Sequence, residues 1–235
     1  MNGNNFCTKN VLIGSSGGIG NALKKELSLQ VGSKNLICFS RHIDNKLDLT
    51  NEQQISEATE ELKSKNVRIN TLINAIGYLH DENYFPEKKI SDINNEYMLK
   101  SFKVNAIAHA LIIKYFSPLM VQDGTSVLAC LSARVGSISD NYLGGWFSYR
   151  ASKAALNQIV KSSSIEFKRK KSNIIFVCIH PGTVLTNLSN PFLNKDKNNF
   201  FTTEESAKKI LNVISTLKIE NSGNFLDYQG KIIPY

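Results

Sequence analysis

The sequence lacks any run of about 20 consecutive apolar residues, the length that a helix needs to cross the apolar core of a bilayer. Its opening segment, MNGNNFCTKN, also lacks a basic stretch followed by an apolar run, which is the pattern of a secretory signal. We therefore expect a cytoplasmic protein that does not enter a membrane.

Cysteine is scarce, with four residues and no C-x-x-C pair. Cys38, Cys130 and Cys178 lie inside apolar, strand-like runs, and Cys7 stands near the start. Paired spacing is typical of zinc sites and redox motifs, and disulfides are rare in the cytosol. We expect reduced core thiols and no metal site.

A dense patch of positive charge is missing as well. The 28 Lys and Arg residues exceed the 20 Asp and Glu residues, but they are spread along the chain. The densest run, KRKK at 168–171, follows a predicted helix and complements its C-terminal dipole. No RNA- or DNA-binding module accompanies this charge, so a nucleic-acid partner is not expected. Repeats and low-complexity linkers are also absent, and we expect one domain over residues 1–235.

The sequence does contain a regular alternation of strand-like and helix-like segments. Strands that alternate with helices form parallel sheets covered on both faces. The sequence therefore predicts an α/β fold, a doubly wound Rossmann-type parallel sheet flanked by helices on both faces. The predicted strands are VLIG (11–14), NLICFS (35–40), INTLINAIG (69–77), TSVLACLS (125–132), NIIFVCIHPG (173–182) and a short run near NFLDY (224–228), and the predicted helices include a long one at 91–117, one that holds Tyr149 and one at 203–217.

A glycine-rich turn, GSSGGIG at 14–20, lies between the first predicted strand and the first predicted helix. Its spaced glycines are Gly14, Gly18 and Gly20. At this place in an alternating α/β chain, backbone N–H groups and the positive end of a helix bind the pyrophosphate of a dinucleotide. The alternative is a flexible turn without a ligand, but the strand-turn-helix context favours nucleotide binding.

The end of the second predicted strand indicates which dinucleotide is bound. An acidic residue there, about 20 residues after the glycine turn, would bind the ribose 2′-OH of NADH, whereas this sequence has Ser40 and Arg41. A guanidinium binds a 2′-phosphate through two parallel hydrogen bonds. The sequence thus favours NADP(H), and the nearby Asp44 keeps NAD(H) as the less favoured alternative.

Tyr149 and Lys153 stand four residues apart in FSYRASKAALN (147–157), so on a helix they share one face. A unit charge about 4 Å away contributes roughly 4 kcal/mol, which would lower the phenol pKa from about 10 by up to about three units. The pair is therefore a candidate proton donor with its tuning cation. The alternative is an amphipathic helix with a surface lysine and a half-buried tyrosine.

Taken together and in this order, the motifs resemble the short-chain dehydrogenase/reductase family over nearly the entire chain. Two longer stretches, SARVGSISDNYLGGWFSYRASKAALN and HPGTVLTNLSNPF, are similar to the branch that holds C-factor signalling proteins and sniffer-type carbonyl reductases. The matching elements are the glycine turn, Asp48 in LDLT, Asn74-Ala75 with Gly77 in NAIG, Asn105 in FKVNAIA, Tyr149 with Lys153, and Pro181-Gly182 with Thr186.

The resemblance implies reduction of a carbonyl to an alcohol by hydride transfer from NADPH, with Tyr149 as proton donor. Lys153 would hold the nicotinamide ribose and lower the Tyr149 pKa, and Asn105 would seat a water between Lys153 and solvent. The implied catalytic residues are Asn105, Ser132, Tyr149 and Lys153. The implied cofactor-binding residues are Gly14, Ser16, Gly18, Ile19, Gly20, Ser40, Arg41, Asp48, Leu49, Asn74, Ala75, Gly77, Tyr149, Lys153, Pro181, Gly182, Val184 and Thr186.

One position departs from the family pattern. Members carry two serines before the tyrosine, and the second polarises the substrate carbonyl, but this sequence has Ala133 in that place. Ser132 is the nearest hydroxyl and Ser137 a further candidate, while Ser132 could equally be a strand-end residue bonded to backbone. This departure supports an alternative function, a nucleotide-binding signalling protein of the C-factor type without significant turnover.

The substrate itself is not specified by the sequence. A small hydrophobic or aromatic carbonyl or alcohol is our expectation, because apolar residues near the motifs are candidates for a pocket wall. His180 is expected to be structural. Family members often pair through the helices that match 91–117 and 147–168, so a homodimer or homotetramer is expected. The candidate wall residues are Leu143, Trp146, Phe147, Phe192 and Phe200.

Overall fold

The computed structural model describes residues 6–192 and 200–235. The strands in these residues form a single parallel sheet in the order β3-β2-β1-β4-β5-β6-β7. They are β1 (Cys7–Ile13), β2 (Leu36–Ser40), β3 (Asn45–Lys46), β4 (Val67–Asn74), β5 (Ser126–Leu131), β6 (Ile174–His180) and β7 (Phe225–Asp227).

Helices cover both faces of this sheet. One face packs against α1 and α6, and the other packs against α2, α4 and α5. The helices are α1 (Gly18–Val31), α2 (Glu52–Ser64), α3 (Asn95–Phe102), α4 (Ala108–Phe116), α5 (Phe147–Arg169) and α6 (Thr203–Thr216). None of the helices in the described ranges is long and apolar enough to span a membrane.

The central strands are apolar along their whole length because helices bury them on both sides. Every residue of β5 is buried, and so are all residues of β6 up to Ile179. Side chains alternate between two core clusters, one on each face of the sheet. Cys130 and Cys178 are neighbours across β5 and β6, and both are buried free thiols, as expected from the sequence.

The helix starts differ in how they are capped. Helices α2, α3 and α6 begin with a side-chain cap from Asn51, Asn94 and Thr202, respectively. Helices α1 and α5 follow Gly17 and Trp146, and neither residue makes a side-chain capping hydrogen bond. Since the first N–H groups of a helix have no partner inside it, the start of α1 presents uncapped donors at the carboxyl edge of the sheet, whereas the first turn of α5 is bonded to a carboxylate from another segment.

The predicted fold class is confirmed, and two local features refine it. The helix predicted at 91–117 begins at Asn95, and a π-helical turn, Lys103–Ile107, separates α3 from α4. No helix lies between β2 and β3. The π turn inserts an extra residue into the helix and re-aims the side chains around Asn105.

Candidate active site

Two cavities adjoin at the carboxyl edge of the sheet. The glycine-side cavity, of about 580 Å³, is lined from the ends of β1, β2 and β4, with Gly14, Arg41 and Gly77 among its residues. The aromatic cavity, of about 480 Å³, is lined from the ends of β5 and β6 and from the start of α5. The two meet beside Gly77, where an added Cβ would lie 3.8 Å from Nζ of Lys153 and 4.0 Å from Leu188.

Tyr149 and Lys153 lie one helical turn apart on α5, as the sequence predicts, but their polar atoms are held differently. Tyr149 is 7% exposed and lines the aromatic cavity, and its hydroxyl makes no hydrogen bond with any described residue. Lys153 is 2% exposed, and its Nζ donates to the backbone oxygen of Leu131 at 2.9 Å. A free phenol at the cavity wall therefore stands beside a buried ammonium that keeps spare donors.

Burial decides the acidity of both groups. It raises the pKa of Tyr149 above its ordinary value, and the phenol of Tyr97 adds to the shift. Burial lowers the pKa of Lys153 to about 8, which nearby thiols of Cys178 and Cys130 partly offset. The sequence predicted the opposite direction for Tyr149, a pKa lowered by Lys153. That prediction is wrong for the protein without cofactor, because burial disfavours the phenolate and the Lys153 ammonium donates to the backbone oxygen of Leu131.

Asn105 lies in the π turn and is fully buried. Its Nδ2 donates to the backbone oxygen of Tyr78 at 2.8 Å and to Oγ of Ser152 at 3.1 Å, and its Oδ1 accepts from the backbone N–H of Tyr78 at 2.8 Å. The amide thus links the segment after β4 to α5. The water-seating role implied by the resemblance stays a prediction.

The missing serine leaves Ala133 at the wall of the aromatic cavity. Ser132 also lies at that wall, but its hydroxyl donates to Oδ1 of Asn157 on α5 at 2.7 Å. Ser137 donates to the backbone oxygen of Pro234 and is not among the residues that line the cavity. The proposed polarising role of Ser132 stays a prediction, and it requires this hydroxyl to leave Asn157.

The glycine turn has the tight geometry that its spacing indicates. Gly14 has φ of +85°, and a Cβ on Gly20 would lie 2.0 Å from the backbone oxygen of Gly14. A Cβ on Gly18 would lie 2.9 Å from Cγ2 of Thr186, so the turn after β1 touches the loop after β6. Ser16 lines the glycine-side cavity, and Ile19 lines the aromatic cavity.

The end of β2 places Arg41 at the glycine-side cavity without a carboxylate partner among the described residues. The hydroxyl of Ser40, by contrast, donates to the backbone oxygen of Ile43 within its own turn. Asp44 is the residue that left NAD(H) as the alternative cofactor. Its carboxylate accepts from Oγ of Ser15 at 2.6 Å and forms an ion pair with Lys24. Its carboxylate is therefore already bound by two side chains. Burial acts to raise the pKa of Asp44, but the hydrogen bonds from Lys24 and Ser15 keep this pKa below its ordinary value.

Asp48 and Leu49 line the glycine-side cavity at the adenine end that the resemblance implies. Oδ1 of Asp48 accepts from the backbone N–H of Thr50 at 2.9 Å and from its hydroxyl at 2.8 Å. The Thr50 backbone N–H is the largest cause of a lowered Asp48 pKa, so this side chain is an ionised acceptor fixed in the cavity wall.

The segment after β4 is only partly as predicted. Ala75 and Gly77 line the glycine-side cavity, but Asn74 lies behind its wall, with Nδ2 at 3.0 Å from Nδ1 of His109. On the far side, Pro181, Gly182, Val184 and Thr186 line the aromatic cavity. Among the predicted residues that follow β4 and β6, Asn74 therefore lines neither cavity, and the others line one of the two.

The aromatic cavity is lined by only some of the residues that were predicted to form its wall. Leu143, Trp146 and Phe192 line it, whereas Phe147 and Phe200 are not among its lining residues. Trp146 and Phe192 pack edge to face with ring centroids 5.1 Å apart.

His180, expected to be structural, lines the aromatic cavity too, and burial lowers its pKa to about 4, so its imidazole is neutral at pH 7. The sequence signal for these wall residues is weak, because aromatic residues are used both in cores and in binding surfaces.

Sequence reasoning also missed the basic side chains at the glycine-side cavity. Lys103 precedes Asn105 in the π turn, and Lys100 lies one turn earlier on α3. Lys100 pairs with Asp81, whereas Lys103 makes no ion pair within the described ranges. Only the tertiary packing brings these lysines to the same cavity wall as Arg41. A cluster of three or more His, Cys, Asp or Glu suited to a metal ion does not occur among the described residues.

These observations fit a dinucleotide. The donors at the start of α1 have no side-chain cap, Gly77 leaves the junction of the two cavities open, and buried Lys153 has spare donors facing that junction. Arg41 and Lys103 supply positive charge at the other end, which suits a phosphate. The residues present therefore match the group that the glycine turn indicates.

Comparison with known proteins identifies the class. A family model described as Enoyl-(Acyl carrier protein) reductase matches residues 33–226. The chain belongs to the short-chain dehydrogenase/reductase family of oxidoreductases.

Its relatives include the two groups expected from the sequence. C-signal of Myxococcus xanthus is 32% identical over 146 residues, which cover 62% of this chain and 83% of that protein. The NADPH-bound carbonyl reductase from chicken fatty liver has a TM-score of 0.83 at 23% identity, covering 98% of this chain and 94% of that one. The carbonyl reductase Sniffer of D. melanogaster has a TM-score of 0.82 at 23% identity, covering 97% and 100%. The predicted family and branch are confirmed, and the two structural matches show the shared fold.

Proposed function

We propose that the protein is an NADPH-dependent oxidoreductase that reduces a carbonyl to an alcohol, with Tyr149 as the proton donor. The observation that carries this proposal is the free hydroxyl of Tyr149, which is buried at the wall of the aromatic cavity one helical turn from buried Lys153. A nucleotide-binding protein without chemistry has no need of a desolvated phenol beside a buried cation.

NADPH, when bound, supplies the hydride. The chain would hold its pyrophosphate at the start of α1 and its 2′-phosphate at Arg41. Ala75 and Gly77 would leave room for its central region, and Lys153 would donate to its ribose. Similarity to a carbonyl reductase solved with NADPH supports this choice, as does the occupied carboxylate of Asp44.

The catalytic work of the chain itself is proton delivery and orientation. Because burial raises the pKa of Tyr149, the phenol is protonated at neutral pH and donates its O–H to the carbonyl oxygen at the cavity wall. The Lys153 ammonium then stabilises the phenolate that forms. This general acid step contributes about 10²–10⁴-fold to the rate.

The substrate that suits the aromatic cavity is an apolar carbonyl compound. Leu143, Trp146 and Phe192 are among the apolar residues of its wall, and its volume of about 480 Å³ admits a small aromatic ring with substituents. Steady-state oxidation of NADPH with a panel of aromatic and aliphatic aldehydes and ketones tests the proposal. Turnover that is lost in Tyr149→Phe supports it, whereas binding of NADPH without turnover of any carbonyl contradicts it.

A second function, a nucleotide-binding signalling protein, is favoured by two observations. One is the 32% identity to C-signal, and the other is Ala133 in place of the polarising serine. This alternative predicts NADPH binding with no turnover that depends on Tyr149. The carbonyl panel therefore distinguishes the two functions.

A further inference from the structure

The start of α5 is capped from a distant part of the chain. Trp146, the residue before the helix, has a left-handed conformation with φ of 53°, and its side chain makes no capping hydrogen bond. The first turn of α5 also contains no acidic residue. A helix start of this kind leaves its first N–H groups without partners, and Tyr149 lies in that first turn.

Glu87 supplies the missing cap from 61 residues earlier in the chain. Its side chain is buried, at 3% exposure, and its two carboxylate oxygens accept from the backbone N–H of Ser148 at 3.3 and 3.2 Å. The hydroxyl of Ser148 donates to the same carboxylate, and the backbone N–H of Trp146 donates to the backbone oxygen of Glu87. A buried carboxylate is costly unless hydrogen-bonded, and here donors and the positive end of the helix offset that cost.

The backbone is shaped to permit this contact. Gly145 has φ of +63°, and a Cβ there would lie 3.3 Å from the backbone oxygen of Glu87. The close approach brings residues 87 and 88 against the turn that leads into α5. The contact is therefore built from both sides, by a glycine in the left-handed region and by a buried acid.

Glu87 is the last residue of the segment 77–87, and residues of this segment also line the two cavities. Gly77 and Tyr78 line the glycine-side cavity, and Leu79 lines the aromatic cavity. Asn105 holds the backbone of Tyr78 at one end of this segment, and Ser148 holds Glu87 at the other. The same stretch of chain thus contacts both cavities and the start of the catalytic helix.

We propose that Glu87 is a positioning residue for Tyr149, which it orients by fixing the first turn of α5 through Ser148. This inference rests on the proposed function for its kinetic consequence. Lys153 lies one turn further along, where Leu131 anchors it independently, so loss of Glu87 affects the phenol and not the lysine. Loss of Glu87 should therefore lower kcat and change cofactor affinity little.

Glu87→Gln tests this role, because it keeps the shape but removes the charge and one acceptor. We expect kcat to fall by about 10-fold or more, since small misplacement of a reacting group costs up to about 10²-fold. The Kd for NADPH should stay within about 2-fold of the unmodified protein, because Lys153 and the glycine turn are untouched. Exposed Glu82 in the same segment gives a matched control, and Glu82→Gln should leave both values unchanged.

Ser148→Ala provides a second variant that removes only the hydroxyl partner. If Glu87 and Ser148 act as one unit, the double variant should have a kcat within about 2-fold of the more affected single variant. Independent, multiplying effects would overturn the proposal. A change in NADPH affinity with unchanged kcat would overturn it as well, since it would assign Glu87 to cofactor binding.

Amide hydrogen exchange separates this inference from the proposed function. In the protein without cofactor, the N–H groups of residues 147–149 should exchange faster in Glu87→Gln than in Glu82→Gln, because Ser148 loses an acceptor. Absence of carbonyl turnover in every variant would contradict the proposed function, and the exchange rates would still decide whether Glu87 fixes the first turn. Equal exchange in the two variants would refute the role of Glu87.

Discussion

At the scale of single residues, the hydroxyl of Tyr149 is buried at the cavity wall and is hydrogen-bonded to no described residue, which leaves it available for the proposed proton transfer. Tyr149→Phe should reduce carbonyl turnover by about 10²-fold or more, because the proton donor is lost. NADPH affinity should change by less than about 2-fold, since only the transition state needs the hydroxyl. Stopped-flow or steady-state kinetics together with fluorescence titration of NADPH measure both quantities. Turnover that survives in the variant would move the proton donor elsewhere.

We expect Lys153 to determine the pH dependence of the proposed reaction. Burial lowers its pKa to about 8, so its ammonium is present below pH 8 and is lost as the pH rises through that value. We therefore expect kcat/KM to be constant below about pH 8 and to decrease above it, since the charge that stabilises the Tyr149 phenolate disappears. In Lys153→Met the step should be absent and the rate low throughout. A profile that keeps its step near pH 8 in Lys153→Met would assign the titration to another group.

We propose that Arg41 sets the preference for one of the two nicotinamide cofactors. Hydrogen bonds to a charged group contribute about 1.5–3 kcal/mol, so Arg41 should favour NADPH over NADH by roughly 10-fold to 100-fold. Arg41→Asp should erase or reverse that preference, because a carboxylate repels the 2′-phosphate. Parallel titrations with NADPH and NADH measure it. Arg68, which stacks on Phe6 away from both cavities, offers a control in Arg68→Asp. Equal affinities of the unmodified protein for the two cofactors would be inconsistent with this role of Arg41.

At the scale of elements, the first turn of α1 depends on the absence of a side chain at Gly20. Alanine would gain about 1 kcal/mol of helix propensity over glycine. Its Cβ, however, would lie 2.0 Å from the backbone oxygen of Gly14, and backbone cannot swing away as a flexible side chain does. The steric clash should outweigh the gain in helix propensity. We therefore expect Gly20→Ala to lower the free energy of unfolding by about 1–3 kcal/mol and to weaken NADPH binding.

Urea denaturation measures the effect of Gly20→Ala, and Gly124→Ala is the control. A Cβ on Gly124 would make only an ordinary contact, at 3.8 Å from Val121. Gly124→Ala should therefore leave stability unchanged or slightly raised. Equal stability of the two variants would show that the turn rearranges without cost.

At the scale of the whole molecule, we propose association into a homodimer or homotetramer through the surface of α3 and α5. Leu99 on α3 is 57% exposed, and Ile107 and Ile165 are also exposed large apolar residues on this side. Leu99→Lys should shift the mass measured by light scattering towards the monomer. Leu29 on α1 is 83% exposed on the opposite face of the sheet, and Leu29→Lys should leave the mass unchanged. A monomeric unmodified protein would rule out this association.

The sequence by itself determined most of the elements and their order, but neither the short β3 nor the π turn between α3 and α4. Apolar runs and helical periodicity depend on neighbouring residues, so β5, β6 and α5 were predicted within a few residues of their observed bounds. Gly14 and Gly20 could also be predicted, because a local turn requires glycine there. The pair Tyr149 and Lys153 could be predicted because its spacing corresponds to one helical turn. The family followed from the order of these local motifs.

The tertiary structure alone decided where polar groups point and how deeply they are buried. The hydroxyl of Ser132 goes to Asn157, and the Glu87 carboxylate goes to Ser148. The pKa of Tyr149 rises because the fold removes the phenol from water, an effect that spacing to Lys153 does not reveal. Each of these depends on which distant segments pack together, since hydrogen-bond partners and desolvation belong to the packed molecule and not to neighbours along the chain.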